Sequence, residues 1–557
     1  MKKILVTVLA LSLIGLLAGC GTKKTSSSST RENTISACFG TEPNTIDPAL
    51  NSAVDAAIYL QHTHEGIYKY EDSGIQATSG INYARTVPGM AAGAPRKTVN
   101  VDGTVTLVYT LRSGLKWSDG SALTAEDFVY SWQRLVDPET AADYSYMIDM
   151  IENANEIMED EKDKSALGVR AVNATTLEIR LTYDCPFFDE IMAFPATFPV
   201  KKSVIEKAGD QRTFNPSTYV SNGPYRMKAW VHNSYILLER NPNYYAAVNG
   251  PEFLRFVLME DENAILASFR SEELDFIQNF PVDEIPSLLK SGDLQISNYL
   301  GTYFVSLNTQ RAPFTDARVR KAFALAIDRN YIVNQITRAG QKPAGGFVPS
   351  GISDVEVGSD FRRTGGDYIS HAESDYENNV AEAKRLMAEA GFPGGRGFPV
   401  VEYLYNTNDA HRAVGEALQN MWRTALGVNI TLGNQEWNVF LDTRKKGNYS
   451  IARDGWIGDY NDPINFLDMF LSGGGNNNSQ YVNKEFDELI AKAKGTAVQA
   501  DRMGYMHQAE DLLVGRDMAV APIYFYTNSY MINPRINAFY TPLGYYFFSN
   551  SKIGTGD

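Results

Sequence analysis

The feature that most restricts this chain is an alternation in its second half, where amphipathic helical stretches are each followed by a strand-like run. Thr315 or Asp316 caps "RVRKAFALAIDRNYIVNQITRAG", which places Val319, Phe323, Ala326, Ile327 and Ile332 on one side and closes at Gly340. Val380 to Ala390 and His411 to Arg423 repeat the pattern before their own strands. Units of this kind build a layered α/β lobe, a sheet with helices packed on it. Phe486 to Lys494 and Arg502 to Leu513 add two further helices.

At 557 residues the chain is long enough for about three or four domains. Hydrophobic residues make up 44% and charged residues 21%, the balance of a globular protein rather than a disordered or bilayer-embedded one. A net charge of -15 argues against a polyanionic partner such as nucleic acid.

Lys2 and Lys3 precede an apolar run from Ile4 to Leu17 that is short for a membrane span and reads as a secretory signal. Leu17-Ala18-Gly19-Cys20 then resembles a bacterial lipobox. That implies a signal peptide over 1–19, cleavage before Cys20, and acylation of its sulfur with chains such as palmitate; two acyl chains anchor where one would not. Gly21 to Thr30 is Lys, Ser and Thr without apolar periodicity, so 20–33 reads as a flexible tether. No later segment has spanning length. Cys38 and Cys185 then remain, too few for a disulfide framework, and buried thiols are favoured over a pair.

In the first half, Asn33 to Phe39 reads as a strand, a turn-rich loop follows, and a helix starts near Asp55. His62 and His64 on that helix are two residues apart, on nearly opposite faces, so packing or solvent roles are expected rather than a metal pair. Tyr70 to Lys97, rich in Gly, Ala and Pro, reads as a surface insertion. Thr104 to Leu111 alternates as a strand, Asp119-Gly120 is a hairpin turn, and Thr124 caps a helix burying Phe128, Trp132 and Leu135.

The stretch from Trp437 to Pro463 concentrates the chemistry. Trp437, Phe440, Leu441 and Arg444 share one helical face, and Tyr449, Ile451 and Arg453 alternate as in a strand. Gly455 then turns the backbone, and Trp456 and Asp459 emerge at its end. Asp462-Pro463 opens the next helix, which leaves Asp459 free for something other than capping. A core pair of tryptophans with a loop acid is the plainer reading of the same residues.

Several blocks resemble one family. "GTEPNTIDPAL" followed by "HEGIYKY", the segment "LRSGLKWSDGSALTAEDFVYSWQRLVDPETA", and "SNGPYRMKAW" with "LERNPNYY" are similar to the oligopeptide-binding proteins of bacterial ABC transporters, extracytoplasmic solute-binding proteins of the peptide/nickel type. The resemblance runs from about Thr34 to about Pro534. It implies an α/β, two-lobed periplasmic-binding-protein-like fold of class C with an additional small domain. Lobe I would comprise 34–64, 202–300 and 524–557, the small domain 65–201, and lobe II 301–523. An oligopeptide would lie in the interlobe cleft, and the partners would be the peptide and a permease with its ATPase. The receptor would be monomeric, without cofactor, metal or catalysis, and lipid-anchored on the outer face of the membrane.

Residue by residue, the resemblance implies that Asp459 holds the peptide ammonium, flanked by Gly455 and Trp456. His411, Arg444 and Arg453 would receive the C-terminal carboxylate at different distances, as suits guanidinium forks. Tyr144, Asn279, Trp437, Tyr524 and Val54 match lining positions; relatives carry an acid near Ser52, so length preference stays open. Gly-x-Ser-x-Gly elbows, His-Glu-x-x-His helices and Walker loops do not occur. A receptor for one signalling or cell-wall peptide is the alternative, and a secreted peptidase the remote one.

Overall fold

The computed structural model describes residues 31–209, 213, 215–355, 359–496 and 498–554. The expected leader, Cys20 and the tether up to residue 30 lie outside them. In chain order the strands are β1 (Thr34–Gly40), β2 (Tyr68–Thr78), β3 (Ile81–Pro88), β4 (Arg96–Val99), β5 (Val105–Thr110), β6 (Val169–Asn173), β7 (Thr176–Leu181), β8 (Tyr225–Val231), β9 (Tyr235–Arg240), β10 (Phe253–Leu258), β11 (Phe276–Ile277), β12 (Gln295–Leu307), β13 (Lys342–Pro343), β14 (Val401–Asn406), β15 (Ile430–Gln435), β16 (Ile451–Ile457), β17 (Val520–Ile532), β18 (Ala538–Tyr540) and β19 (Tyr546–Phe547). The helices that matter below are α1 (Val54–Thr63), α2 (Ala125–Val136), α3 (Ala317–Leu325), α4 (Asp409–Leu426), α5 (Trp437–Lys445), α6 (Lys484–Gly495) and α7 (Gln499–Glu510).

The largest sheet runs β15-β14-β16-β12-β17-β11-β1-β10-β9-β8, with β13 beside β17. It is two sheets joined end to end. Parallel pairs β1/β10 and β1/β11 form the core of one lobe, and parallel pairs β14/β15 and β14/β16 that of the other. The antiparallel strands β12 and β17 run through the junction, where their pairing breaks between Asn298 and Thr302. At Gly301 a Cβ would fall 2.8 Å from the Trp456 carbonyl and 2.4 Å from the Ile457 side chain, so only glycine lets β12 approach β16 there. A separate antiparallel sheet, β4-β5-β7-β6, forms the small domain, and β19-β18-β3-β2 ties chain from its edge to the C-terminal strands.

Helix α2 follows its sequence signals. Thr124 and Asp127 form a capping box, and Phe128, Trp132 and Leu135 are fully buried, with the Trp132 indole donating to the Thr197 carbonyl at 2.8 Å. The Asp119-Gly120 turn also forms, closing a bridge between Lys116 and Ala122. His62 and His64 are both buried; the His62 Nε2 accepts from Phe548 N at 3.0 Å, and burial pushes its pKa down to about 4, so it packs as a neutral ring. Cys38 and Cys185 are free and buried.

Two expectations need correction. Tyr70 to Lys97 is not a surface insertion: it contains most of β2, all of β3 and the first part of β4, with Tyr70, Met90 and Ala91 buried. The partner that completes this hairpin is β18, parallel to β3 and more than 450 residues away, which no local pattern reveals. The helix expected to run unbroken to Gly340 is interrupted after α3 and resumes over Arg329–Tyr331 and Ile332–Thr337. Its five predicted apolar residues are buried, but Arg329 is buried as well and donates to the carbonyls of Ala324 and Ile327, taking the acceptors that would continue the helix. Asp328 then recaps the next turn through Tyr331 N.

Lobe I is fastened where β1, β11 and β17 end. Asp275, beside β11, accepts from Ser36 N at 2.9 Å and from both sides of the Arg535 guanidinium at 2.6 Å, while Arg535 also donates to the Thr34 carbonyl. Removing one member of a buried pair strands the other charge. Arg535→Met is expected to cost about 3–5 kcal/mol of stability, read as a lower urea midpoint at unchanged slope.

Candidate ligand-binding cleft

Three of the expected residues meet at one end of the cleft between the lobes. Val54 at the start of α1, Tyr144 from the small domain and Asp459 beyond β16 line a cavity of about 40 Å³, together with Asn51, Ser52, Leu543 and Tyr545. A cavity of that size has room for an ammonium group or a few waters. Asp459 is 5% exposed, and its carboxylate accepts from the Tyr146 hydroxyl at 3.2 Å and from the Asn465 side chain at 3.1 Å. Asn465 also accepts from Asp459 N at 2.9 Å and from the Trp456 indole at 3.3 Å, so one side chain aims both site residues. Burial lifts the Asp459 pKa to about 6, against the hydrogen bonds from Asn465, Tyr144 and Tyr146, which oppose the rise. None of these partners is a cation. The next helix starts at Ile464, one residue later than expected, with Pro463 at the cap position; Asp462 accepts from Ile464 N and is also paired in two contacts with Arg502.

The other end is aromatic and positive. Arg453 projects from β16 with its guanidinium 5.3 Å from the Tyr303 ring centre, and its Nε is buried with no hydrogen-bond partner among the described residues. Tyr524 stacks on Tyr303 at 4.7 Å, and Tyr526 meets both edge-on. His411 sits in the first turn of α4, where Asn408 caps its N–H, and lies 3.4 Å from the Tyr303 hydroxyl. Burial and the Arg453 charge push its pKa down to about 2, so the ring is a neutral hydrogen-bonding group beside the cation. At Gly455 a Cβ would stand 2.6 Å from the Tyr526 hydroxyl, so a larger residue there would push into this cluster.

Three expected residues lie elsewhere. Arg444 does not join Arg453: it is 5% exposed and forms an ion pair with Asp454, whose other oxygen accepts from Ser306 at 2.9 Å and Asn478 at 3.1 Å. Neighbours on a strand face opposite sides, so Asp454 draws Arg444 to the face away from Arg453. Its charge is balanced within the protein by Asp454. Trp437 stacks on Phe440 at the start of α5 and stays 44% exposed, with Arg444 over the Phe440 ring. Asn279 lies just past β11, its side chain against Gly40.

Tyr146, Asn465, Tyr303 and Tyr526 were not foreseen. Tyr526 was within reach, because it stands two residues from Tyr524 and therefore shares its strand face; Asn465 gave no signal beyond its place after Asp462-Pro463. A larger cavity of about 430 Å³ lies apart from the cleft, along Glu65, Lys69 and Tyr244. Its buried carboxylate, Glu65, is already held by Lys69, Tyr244 and Tyr245.

Two α/β lobes joined by a pair of crossing strands, an added small domain, and unpaired opposite charges in the cleft between them define a solute-binding protein of the two-lobed, class C type. The model of bacterial extracellular solute-binding proteins, family 5, matches residues 85–478. The chain belongs to that family. It is 37% identical over 443 residues to the periplasmic oligopeptide-binding protein OppA of Salmonella typhimurium, covering 77% of this chain and 78% of the relative. The Haemophilus influenzae OppA complex with the peptide RPPGFSPFR superposes with a TM-score of 0.81 at 30% identity, over 94% of this chain and 99% of that one. An unliganded open form of the murein tripeptide-binding protein MppA, also 30% identical and covering 94% and 97% of the two chains, gives 0.70. The arrangement of lobes here is therefore nearer that of the peptide complex than that of the open form.

Because Arg444 neutralises Asp454, its loss is expected to register as instability before any effect on ligand. Arg444→Gln should lower the unfolding free energy of the ligand-free protein by about 3–5 kcal/mol, the cost of a buried carboxylate left alone, measured by chemical denaturation.

Proposed function

We propose that this chain is an extracytoplasmic receptor that binds oligopeptides in its interlobe cleft and delivers them to an ABC transporter permease, without catalysis of its own. The observation that carries the reading is the pairing of an acid with no cation beside it, Asp459, in an ammonium-sized cavity with Arg453, a cation held by tyrosines rather than by an ion pair and with its Nε unbonded, further back along β16. A zwitterionic peptide lying along the strand supplies the missing charge at each end, and its main chain finds strand backbone to pair with. Relatives named for oligopeptide binding support this choice of ligand. The match to a murein peptide-binding protein, 32% identical over 503 residues, favours as a second reading a receptor dedicated to a cell-wall peptide. Mass spectrometry of peptides recovered from the purified protein separates the two: a broad set supports general uptake, and a single murein-derived species supports the second.

The lobes are taken as 34–64, 202–300 and 524–557 for the first and 301–523 for the second, with the small domain at 65–201 between them in sequence. The protein acts as a monomer, tethered to the outer face of the cell membrane through acylated Cys20. Among the described residues no helix is long and apolar enough to cross a membrane. Cys20→Ala should shift the protein from the membrane fraction to the soluble one; a variant that sediments with membranes as firmly as the parent overturns the anchor.

Asp459 makes the ligand reading testable through pH. Its pKa is raised to about 6 without ligand, and an ammonium beside it favours the carboxylate and draws that value down. Peptide affinity should therefore be level above pH 6 and fall as the pH drops below it, with protons released on binding near pH 6. Asp459→Asn should abolish this dependence and cost about 3–5 kcal/mol, more than a hundredfold in affinity, for a free peptide. N-acetylation of the peptide should cost the parent as much and the variant little, a non-additivity that calorimetry on the four combinations reads directly. Equal binding of free and acetylated peptides by the parent overturns the assignment.

A further inference from the structure

Beside the Asp459 cavity the walls of the cleft touch each other directly, with no room for ligand between them. Lys494, near the end of α6, has its ammonium 3.2 Å from Asp468 of its own lobe and 2.9 Å from Asp149, which belongs to the small domain. All three side chains are mostly buried. Next to them Phe187 of the small domain lies flat on Tyr460 of lobe II, ring centres 4.9 Å apart and planes 5° from parallel. Arg502, held by Asp462 at 2.6 and 2.8 Å, sets its guanidinium 5.0 Å from the Phe187 ring centre. The space left among Tyr146, Asp149, Phe187, Tyr460 and Lys494 is about 10 Å³, too small for a ligand.

These contacts divide into a part that survives opening of the cleft and a part that does not. Lys494–Asp468 and Arg502–Asp462 lie within lobe II, so the cation and the aromatic shelf stay ordered whatever the other wall does. Asp149 and Phe187 come from the opposite wall. When the walls part, Lys494 loses one of its two carboxylates, and Phe187 and Tyr460, 6% and 4% exposed here, each turn a ring face to water. The contacts therefore favour the closed arrangement, and their lobe II half is prepared in advance.

We propose that the Lys494–Asp149 bridge and the Phe187–Tyr460 stack form a latch that sets how long the closed receptor retains its peptide, independently of what the peptide is. This rests on the peptide-receptor reading. The latch touches no ligand, so it contributes the same increment to every cargo, on top of what Asp459 and Arg453 recognise. It forms after encounter, so it acts on release rather than capture.

The test is stopped-flow association and dissociation of three fluorescently labelled peptides of unrelated sequence, on the parent and on Asp149→Asn, Lys494→Met and Phe187→Leu. Losing the bridge should speed release about tenfold, the worth of one charge-assisted contact, with association within about twofold. The factor should be the same for all three peptides, and Asp149→Asn and Lys494→Met together should do little more than either alone. If Lys494→Met fails to fold because Asp468 is left unpaired, Asp149→Asn, which leaves that pair intact, carries the test with Phe187→Leu. Normal binding with unchanged release in the variants, or factors that differ between peptides by more than about threefold, overturns the latch alone. A parent that binds none of a broad peptide set overturns the receptor reading and the latch with it.

Discussion

A carboxylate taken out of water without a cation costs several kcal/mol, and Asp459 stands in that condition. The protein tolerates it by partial measures. Phenol and amide donors hold the oxygens, and the pKa rises to about 6, so the group is half protonated near that pH rather than forced to ionise. Those measures draw on three regions of the chain: Tyr146 from the small domain, Asn465 from lobe II, and the cavity wall of Leu543 and Tyr545 from the C-terminal segment. The residues that make the site expensive are thus also the residues that bring the three bodies into register, and a cation arriving with the ligand relieves a strain they share.

Much of this was legible from residue order. The apolar faces of 315–340 and of α2, the capping box at Thr124 and the isolated acid at Asp459 follow from periodicity and from which acid is already spent on a cap. What was not legible depends on distant partners. The β2–β3 hairpin is a strand pair because β18 comes back to it, and the break after α3 exists because Arg329 is buried against carbonyls from several segments, including Ala344 and Pro522. A local pattern carries no trace of either.

Arg444 illustrates the limit more sharply than the fold does. On α5 its spacing from Trp437 and its charge make it look like a ligand group, and one neighbour changes the outcome. Asp454 alternates with Arg453 along β16, so the strand sends a cation to one face and an anion to the other, and the anion meets Arg444. The alternation that places Arg453 on one face of β16 places Asp454 on the other. A charge on a matched position defines a binding group only once every opposite charge within reach has been assigned, and in a chain with 66 acidic residues that condition is demanding.

The crossing strands have a consequence for how the molecule comes to exist. Strand β1 finds its first parallel partner, β10, some two hundred residues later, and β17 must pair with β11, β12 and β13 before the junction between lobes is continuous. Both lobes therefore wait for the strand that begins at residue 520, since it pairs with β11 of one and with β12 of the other. Such non-local pairing folds slowly. Strand β1, near the N-terminus, gains both of its neighbours only once residue 277 has been made, and its sheet is joined to the second lobe only when β17, close to the C-terminus, arrives.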